Sequence, residues 1–326
     1  MRPERTLLVD MGELARGFPV HLDRYPGATV VHYERGELPE RIVREWLAGL
    51  EVVVTIETFY DHRLPRWAAE LGCATVTQAN PEFMRDPAEL ASVPTRWWNP
   101  TSWRQNFMPE GTRVVPVPVA DDRFRFRAPE RSETLRVLHV AGHAAMADRN
   151  GTTLVVEALR RLHGPISVRI VTQADATRWR VRSPVPVEVV TGGVADYWRL
   201  YDDADVLVLP RRYGGLCLPV QEAMASGLAV IMSDAEPQRS TWPVECVRSA
   251  TGAPKLHCPG GRLALTNARA ESIAEAINSF AVDRERLAAQ QAASLAWAEA
   301  NRWSVLRPMY EAELAEACEA LVPATR

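Results

Sequence analysis

The sequence has almost no lysine. Lys255 is the single lysine among 326 residues, so arginine carries nearly all of the positive charge. The formal net charge is −3 at pH 7, which excludes a protein that is basic overall, as general binders of nucleic acid or anionic membranes are. A GC-rich genome is enough to account for the arginine. Arginine also suits phosphate oxygens, because its planar fork donates two parallel hydrogen bonds.

Disulfide frameworks and long apolar runs are also missing. The five cysteines, at positions 73, 217, 246, 258 and 318, are odd in number and scattered, which favours a reducing cytoplasm. Cys246, His257 and Cys258 match no familiar zinc spacing. The N-terminal residues lead directly into a strand-like run, and no stretch reaches 18 apolar residues. We therefore expect a cytoplasmic protein that does not insert into a membrane.

What the chain does contain is an α/β pattern that occurs twice. Short β-branched runs alternate with amphipathic helical stretches, which is typical of a parallel sheet, and the pattern restarts at residue 135. A proline-stiffened run at 114–119 and a polar segment at 121–130 separate the two halves. We predict one doubly wound domain over residues 1–127 and another over 128–300, with ligands at the carboxyl ends of the strands.

The most informative stretch is a strand, a glycine loop and a helix within residues 206–227. Gly214 and Gly215 allow the backbone to approach a ligand closely. The helix that starts at Leu218 would direct its free N–H groups at an anion such as a diphosphate, in a cleft between the domains. An ordinary glycine turn before a surface helix would give the same pattern.

Charged residues of this stretch suit the same ligand. Arg211 and Arg212 lie in the loop and could neutralise a diphosphate. Glu222 lies one turn inside the helix, where its carboxylate could accept two hydrogen bonds from a vicinal diol such as ribose. The alternative is that all three side chains are simply solvated.

The whole stretch resembles the donor-site motif of retaining glycosyltransferases of the two-Rossmann-domain (GT-B) type, especially family four. That motif reads roughly P-S-x-x-E-G-F-G-L-P-x-x-E-A-M-A-x-G-x-P-V-I, and the match is specific at 218–219, 222–225 and 227–231. Segments 137–142, 150–153, 193–196, 200–205, 94–103, 117–124 and 303–310 resemble other parts of the family. The resemblance implies two Rossmann-like domains facing a cleft, with 301–326 as a C-terminal helix that packs back on domain one.

The chain departs from this motif in two places. The first glutamate of the family's Glu-x7-Glu pair falls on Gly214, so only Glu222 is kept. The family's phosphate-binding arginine and lysine fall near His143 and Asn150, so His143 or Arg149 would replace them. The loop 211–215 looks most like glycosyltransferases encoded by phages of GC-rich hosts, which would place the protein in the host cytoplasm.

The resemblance, together with the position of Glu57, His62, Asn80 and Glu82 after predicted parallel strands, suggests roles for individual residues. The expected catalytic residues are His143, Glu57 and His62. Binding of the nucleotide sugar is expected from Glu222, Arg149, Arg211, Arg212, Gly214, Gly215, Leu218, Val194 and Gly12. Acceptor binding is expected from Asn80, Glu82, Trp97 and Trp98, although capping would explain the polar side chains about equally well, and core packing is the better explanation for at least two of Trp97, Trp98 and Trp103. No metal and no cofactor are expected, because the helix dipole and arginine replace a cation.

We therefore predict a metal-independent, retaining hexosyltransferase that uses a UDP- or GDP-type sugar donor. Its acceptor would be a hydroxyl, with hydroxymethylated pyrimidine in phage DNA ahead of protein and glycan hydroxyls. The alternatives are a sugar-nucleotide epimerase and a non-catalytic sugar-nucleotide-binding protein on the same fold. The sequence leaves the nucleobase, the sugar and the oligomeric state open.

Overall fold

In the computed structural model, the chain folds into two units, each built on a six-stranded sheet. The structure describes residues 6–10, 29–32, 39–57, 62–82, 84, 92–142, 148–175, 177, 179–192, 196–258 and 261–321. The first unit comprises the described residues of Met1–Ala120, Cys258–Gly261 and Asn301–Arg326, and the second those of Asp121–His257 and Arg262–Ala300. The division after Ala120 adjoins the polar segment at which the sequence pattern changes.

The first unit has a parallel sheet in the order β2-β1-β3-β4-β5-β6. Its central strands are apolar and β-branched, and residues 52–54 of β3 are completely buried. The strands are β1 (Thr6–Asp10), β2 (Thr29–His32), β3 (Val52–Glu57), β4 (Ala74–Ala79), β5 (Arg96–Asn99) and β6 (Arg113–Val114), and the early helices are α1 (Glu40–Leu47) and α2 (Leu64–Glu70).

The second unit repeats this design with the order β12-β11-β10-β7-β8-β9, and all neighbouring pairs are again parallel. Its strands are β7 (Leu135–Gly142), β8 (Ile166–Thr172), β9 (Val187–Thr191), β10 (Val206–Leu209), β11 (Ala229–Ser233) and β12 (Glu245–Val247). Its helices are α3 (Thr152–Ala158), α4 (Leu218–Ala225), α5 (Gln238–Thr241), α6 (Ala270–Val282) and α7 (Arg284–Ala300). A two-stranded ribbon, β13 (Ser249–Cys258) and β14 (Gly261–Ala268), precedes α6.

Helices cover the second sheet on both faces. Val137, Val206 and Val208 pack into one apolar cluster with residues of α3 and α6. Helix α7 packs against α4 and β11. Because successive strand residues alternate between faces, this sandwich buries both sides of the central strands. The α/β fold class with parallel sheets is confirmed.

The last helix, α8 (Trp303–Glu319), belongs to the first unit, where it packs against β3 and β4. Tyr310 of α8 is completely buried and its hydroxyl donates to the Pro116 carbonyl at 2.8 Å. Its ring meets Trp98 edge to face, with centroids 5.3 Å apart. The chain therefore returns to its first unit at its end, as the fold class predicts. Within the described residues, no helix combines the length and the apolar character that crossing a membrane requires.

Several elements differ from the sequence pattern. Residues Tyr197–Tyr201, whose pattern favours an α-helix, form a 3-10 helix. The sequence pattern does not indicate the short strands β5 and β12, the short helix α5 or the ribbon β13–β14. The ribbon carries glycine and proline at 252 and 254, which weaken a strand signal in the sequence.

We predict that Gly227→Ala destabilises the second unit far more than Gly164→Ala. Both glycines have positive φ, +78° and +90°. A Cβ atom on Gly227 would lie 2.2 Å from the Arg127 carbonyl oxygen, whereas one on Gly164 meets nothing within 4 Å. Backbone strain alone costs about 1–2 kcal/mol, and the clash should bring the loss at Gly227 to about 3 kcal/mol or more. Urea denaturation measures both, and equal losses would contradict the close approach.

Candidate functional site

The loops that follow β7 and β10 meet at the carboxyl edge of the second sheet. These strands are parallel neighbours, with Val206 paired to Val137. The backbone N–H of Arg212 donates to the Arg149 carbonyl at 2.8 Å. Gly151 has φ +69°, and a Cβ atom there would lie 2.4 Å from the Pro210 carbonyl oxygen. The turn 148–151 and the loop 210–217 therefore form one surface, and only glycine allows the approach.

Three arginines meet on this surface. The guanidinium of Arg149 lies over the Tyr213 ring, 5.1 Å from its centroid. Arg211 is only 6% exposed, and its Nε donates to the Tyr213 carbonyl at 3.0 Å. Arg212 donates from Nε to Asn267 Oδ1 at 2.9 Å. An aromatic ring beside Arg149, and hydrogen-bond acceptors on Arg211 and Arg212, thus hold three predicted donor-binding cations around one short loop.

The two helices that begin here differ in how their N-termini are satisfied. In α3, the Asp148 carboxylate accepts from the backbone N–H groups of Thr152 and Thr153, at 2.9 and 3.0 Å. Helix α4 begins at Leu218, the predicted residue, and the preceding Cys217 makes no side-chain capping bond. An anion is therefore excluded from the start of α3 by a carboxylate and is favoured at the start of α4 by the helix dipole and the arginines.

Glu222 lies one turn along α4 and is half-buried. The Tyr201 hydroxyl donates to its Oε2 at 2.6 Å. Burial raises the pKa of Glu222 to about 7, against the opposing effects of Tyr201 and of the positive charge on Arg123. Near neutral pH, this carboxyl group is therefore populated in both its protonated and its ionised form.

Sequence reasoning missed two contributors to the surroundings of Glu222. Tyr201 lies in segment 200–205, which resembles the family, but the resemblance implies no site role for it. Arg123 donates from Nη1 to the Tyr197 hydroxyl at 3.3 Å, and its guanidinium lies 5.2 Å from the Trp198 ring centroid. Neither residue has a sequence spacing that links it to Glu222, so no local signal could have found them.

A groove of about 350 Å³ lies at the opposite, amino-terminal edge of β7, β8 and β9. Its two arginines are already engaged. Arg136 pairs with Asp205 at 2.7 Å, and Arg169 donates to the Leu200 carbonyl at 2.7 Å. The Asp205 carboxylate neutralises Arg136, whereas the Nε of Arg211 contacts a neutral carbonyl, so we do not assign the predicted donor site to the groove.

In the first unit, the structure brings some predicted residues to one sheet edge. Glu57 ends β3, beside Ala79 at the end of β4, and Asn80 follows at once. Asn80 is 8% exposed, and its Oδ1 has no hydrogen-bond partner among the described residues. Glu82 is completely buried. His62 is exposed just before α2, where its carbonyl accepts from Ser92 Oγ at 2.5 Å.

The two predicted acceptor-site tryptophans have different surroundings. Trp97 is 8% exposed and packs with Ala79 and Met84 near the same edge. Trp98 is completely buried against Tyr310, so it has no ring face to offer a ligand. We therefore leave Trp98 out of the site. The predictions for His143, Val194 and Gly12 lie outside the described residues, as does the side chain of Glu57.

Comparison with known proteins gives a family match for part of the chain. Residues 135–282, which carry the arginines and Glu222, match the family model described as "Glycosyl transferases group 1". No curated protein matches the chain in sequence.

Solved structures match over nearly the whole chain. HepE from Anabaena, solved with UDP and glucose, has a TM-score of 0.67 at 10% identity and covers 96% of this chain and 100% of its own. A glycosyltransferase from Rickettsia africae has a TM-score of 0.66 at 14% identity, covering 98% and 99%. Sucrose-phosphate synthase from Thermosynechococcus elongatus has a TM-score of 0.64 at 13% identity, covering 97% and 100%.

The chain has the GT-B fold. The predicted resemblance is thereby confirmed at the level of the fold, and residues 135–282 are similar to group 1 glycosyltransferases, while the retaining family-four character and the phage origin stay predictions. Within the described part of this GT-B chain, no group of three or more His, Cys, Asp or Glu side chains could hold a metal ion.

We predict that Glu222→Gln stabilises the ligand-free protein at high pH. The folded-state pKa of about 7 exceeds the ordinary value of 4.5, so the folded protein holds this proton more tightly than the unfolded chain. Stability is therefore lost as pH rises from 4.5 towards 7, by about 3 kcal/mol. The glutamine variant, which still accepts from Tyr201, avoids this loss.

Urea denaturation at pH 4 and pH 8 measures the difference, with the exposed Glu188→Gln as the matched control. The gain from Glu222→Gln should appear at pH 8 and vanish at pH 4. A gain that is the same at both values would show that Glu222 ionises freely in the folded protein.

Proposed function

We propose that this protein is a retaining glycosyltransferase that moves a sugar from a nucleoside-diphosphate sugar, of the UDP or GDP type, to a hydroxyl acceptor. The observation that carries the proposal is the start of α4, which has no side-chain cap and follows the loop that holds Arg211, Arg212 and the neighbouring Arg149, with Glu222 one turn further along the helix. The family match over residues 135–282 supports the same reading.

The diphosphate would lie at the start of α4. A diphosphate carries negative charge that the helix dipole and guanidinium groups stabilise. Because Arg211 is almost completely buried, its charge interacts through a medium of low dielectric constant, where attraction to an anion is stronger than in water. Asp148 keeps the anion away from α3, so the site has one preferred position.

The ribose would lie beside Glu222. Leu218 and Glu222 are four residues apart, which is about 6 Å along the helix axis. A nucleotide lying along α4 from the diphosphate would therefore bring its ribose hydroxyls to the carboxylate. Oε1 is left for them, because Tyr201 donates to Oε2.

The chemistry is a front-face displacement. The acceptor hydroxyl forms a bond to the anomeric carbon while the bond from that carbon to the diphosphate oxygen breaks. The acceptor proton passes to the departing phosphate, whose charge the arginines stabilise. Retention by two displacements would need a carboxylate nucleophile, and the loop 210–217 contains none. His143, Glu57 and His62 stay the proposed catalytic contributors.

For the acceptor, we keep the predicted order, with hydroxymethylated pyrimidine in phage DNA first and protein or glycan hydroxyls second. The support is the resemblance of the loop 211–215 to phage enzymes. Asn80, whose buried Oδ1 is an available acceptor, suits contact with a hydroxyl or an amide. Cytoplasmic location belongs to the same proposal.

We predict that Glu222→Ala weakens nucleotide binding about ten- to a hundredfold, because a hydrogen bond to a charged group contributes about 1.5–3 kcal/mol. Titration calorimetry with UDP, GDP and their sugar conjugates at pH 8 measures the loss. The exposed Glu157→Ala on α3 is the matched control and should bind as wild type. Equal affinities for both variants would rule out the ribose assignment.

We also predict that sugar transfer, measured as nucleotide release, continues in excess EDTA. The arginines and the helix start supply the positive charge that a divalent ion would otherwise provide. Adding magnesium or manganese to chelator-treated enzyme should change the rate by less than about twofold. Loss of turnover in EDTA with recovery in either ion would reveal a required metal.

A further inference from the structure

Tyr201 is a completely buried tyrosine whose hydroxyl is directed at the carboxylate of Glu222. It is 1% exposed and donates to Oε2 at 2.6 Å. Phe124 packs edge to face against its ring, with centroids 6.4 Å apart. The proposed function gives this tyrosine no role, although it is the described side chain that hydrogen-bonds Glu222.

Arg125 connects the 3-10 helix that carries Tyr201 with the helix α4 that carries Glu222. Its Nη2 donates to the Tyr201 carbonyl at 3.2 Å and to the Ser226 carbonyl, next to the end of α4, at 3.0 Å. Its Nη1 donates to the Asp202 carbonyl at 2.7 Å. The separation between the tyrosine and α4 is thus fixed by backbone contacts, independently of the hydrogen bond between Tyr201 and Glu222.

A fixed donor at Oε2 has two consequences for the carboxylate. It selects one orientation of the side chain, so Oε1 is left to meet a ligand. It also compensates part of the cost of holding a negative charge in buried surroundings. The other charged or titratable groups facing the pair are Arg123 from the segment before β7, Tyr197 from the same 3-10 helix and Cys217 before α4.

We propose that Tyr201 is a positioning residue for the nucleotide sugar: it holds Glu222 in one orientation, as an ionised acceptor for the ribose hydroxyls. This inference rests on the proposed function and goes beyond it, because it makes donor affinity depend on a proton at Glu222 that Tyr201 helps to displace. Burial raises the pKa of Tyr201 well above its usual range, so the phenol stays a donor throughout.

The proposal predicts a pH signature that a purely structural tyrosine would not give. The hydrogen bond from Tyr201 lowers the pKa of Glu222, so removing it raises that pKa further above about 7. In Tyr201→Phe, the rise in nucleotide affinity with pH should therefore occur at higher pH than in wild type. At pH 7, affinity should fall about three- to tenfold, the usual effect of one lost hydrogen bond.

The experiment measures UDP and GDP affinity by titration calorimetry from pH 5.5 to pH 9. At each pH, the affinity of a protein is divided by the affinity of the same protein with Glu222→Gln added. This ratio cancels the effect of the ionisation of the nucleotide itself. Tyr310→Phe is the matched control, because Tyr310 is equally buried and donates to a backbone carbonyl at 2.8 Å. Its midpoint should equal that of wild type.

A higher midpoint in Tyr201→Phe alone supports the proposal, and an unchanged midpoint overturns it even if affinity falls. If wild type binds neither nucleotide, the proposed function itself fails. Should Tyr201→Phe not fold, site-specific 3-fluorotyrosine at 201 keeps the shape and makes the phenol a stronger donor. The midpoint should then move to lower pH, and no movement would overturn the inference.

Discussion

The close approach of the turn 148–151 to the loop 210–217 is the constraint on which the candidate site depends. Gly151 lies so near the Pro210 carbonyl that no side chain fits between them, and the Arg212 N–H closes the contact onto Arg149. This approach joins the ends of two neighbouring parallel strands. Without it, the three arginines would lie on two separate loops rather than on one continuous surface next to α4.

Several groups of the candidate site lower the stability of the folded protein. A half-buried carboxyl with a pKa near 7 costs the folded state free energy whenever it is ionised. An uncapped helix start and a buried arginine with no acidic partner among the described residues carry similar costs. On the proposed function, each of these costs would be offset when an anionic nucleotide supplies opposite charge and hydrogen bonds. Such a pattern is typical of a binding site rather than of a structural core.

The sequence predicted those features that depend on neighbours in the chain. The strand, glycine loop and helix at 206–227 were all recognisable, because capping, glycine and periodicity signals act within a few residues. Tyr201, Arg123 and Asn267 could not be predicted, since each reaches the site through folding from a different element. The burial of Trp98 could not be predicted for a related reason, because it depends on Tyr310, which lies more than two hundred residues away in the sequence. The ribbon β13–β14 could not be predicted, because glycine and proline interrupt its strand pattern.

The most direct test of the account is a crystal structure of the protein with bound nucleoside diphosphate. The account predicts phosphate oxygens within hydrogen-bond distance of the Leu218 N–H and of the guanidinium groups of Arg211 and Arg212, with a ribose hydroxyl on Glu222 Oε1. A nucleotide bound instead in the groove beside Arg136 and Arg169, or one whose ribose lies away from Glu222, would contradict it.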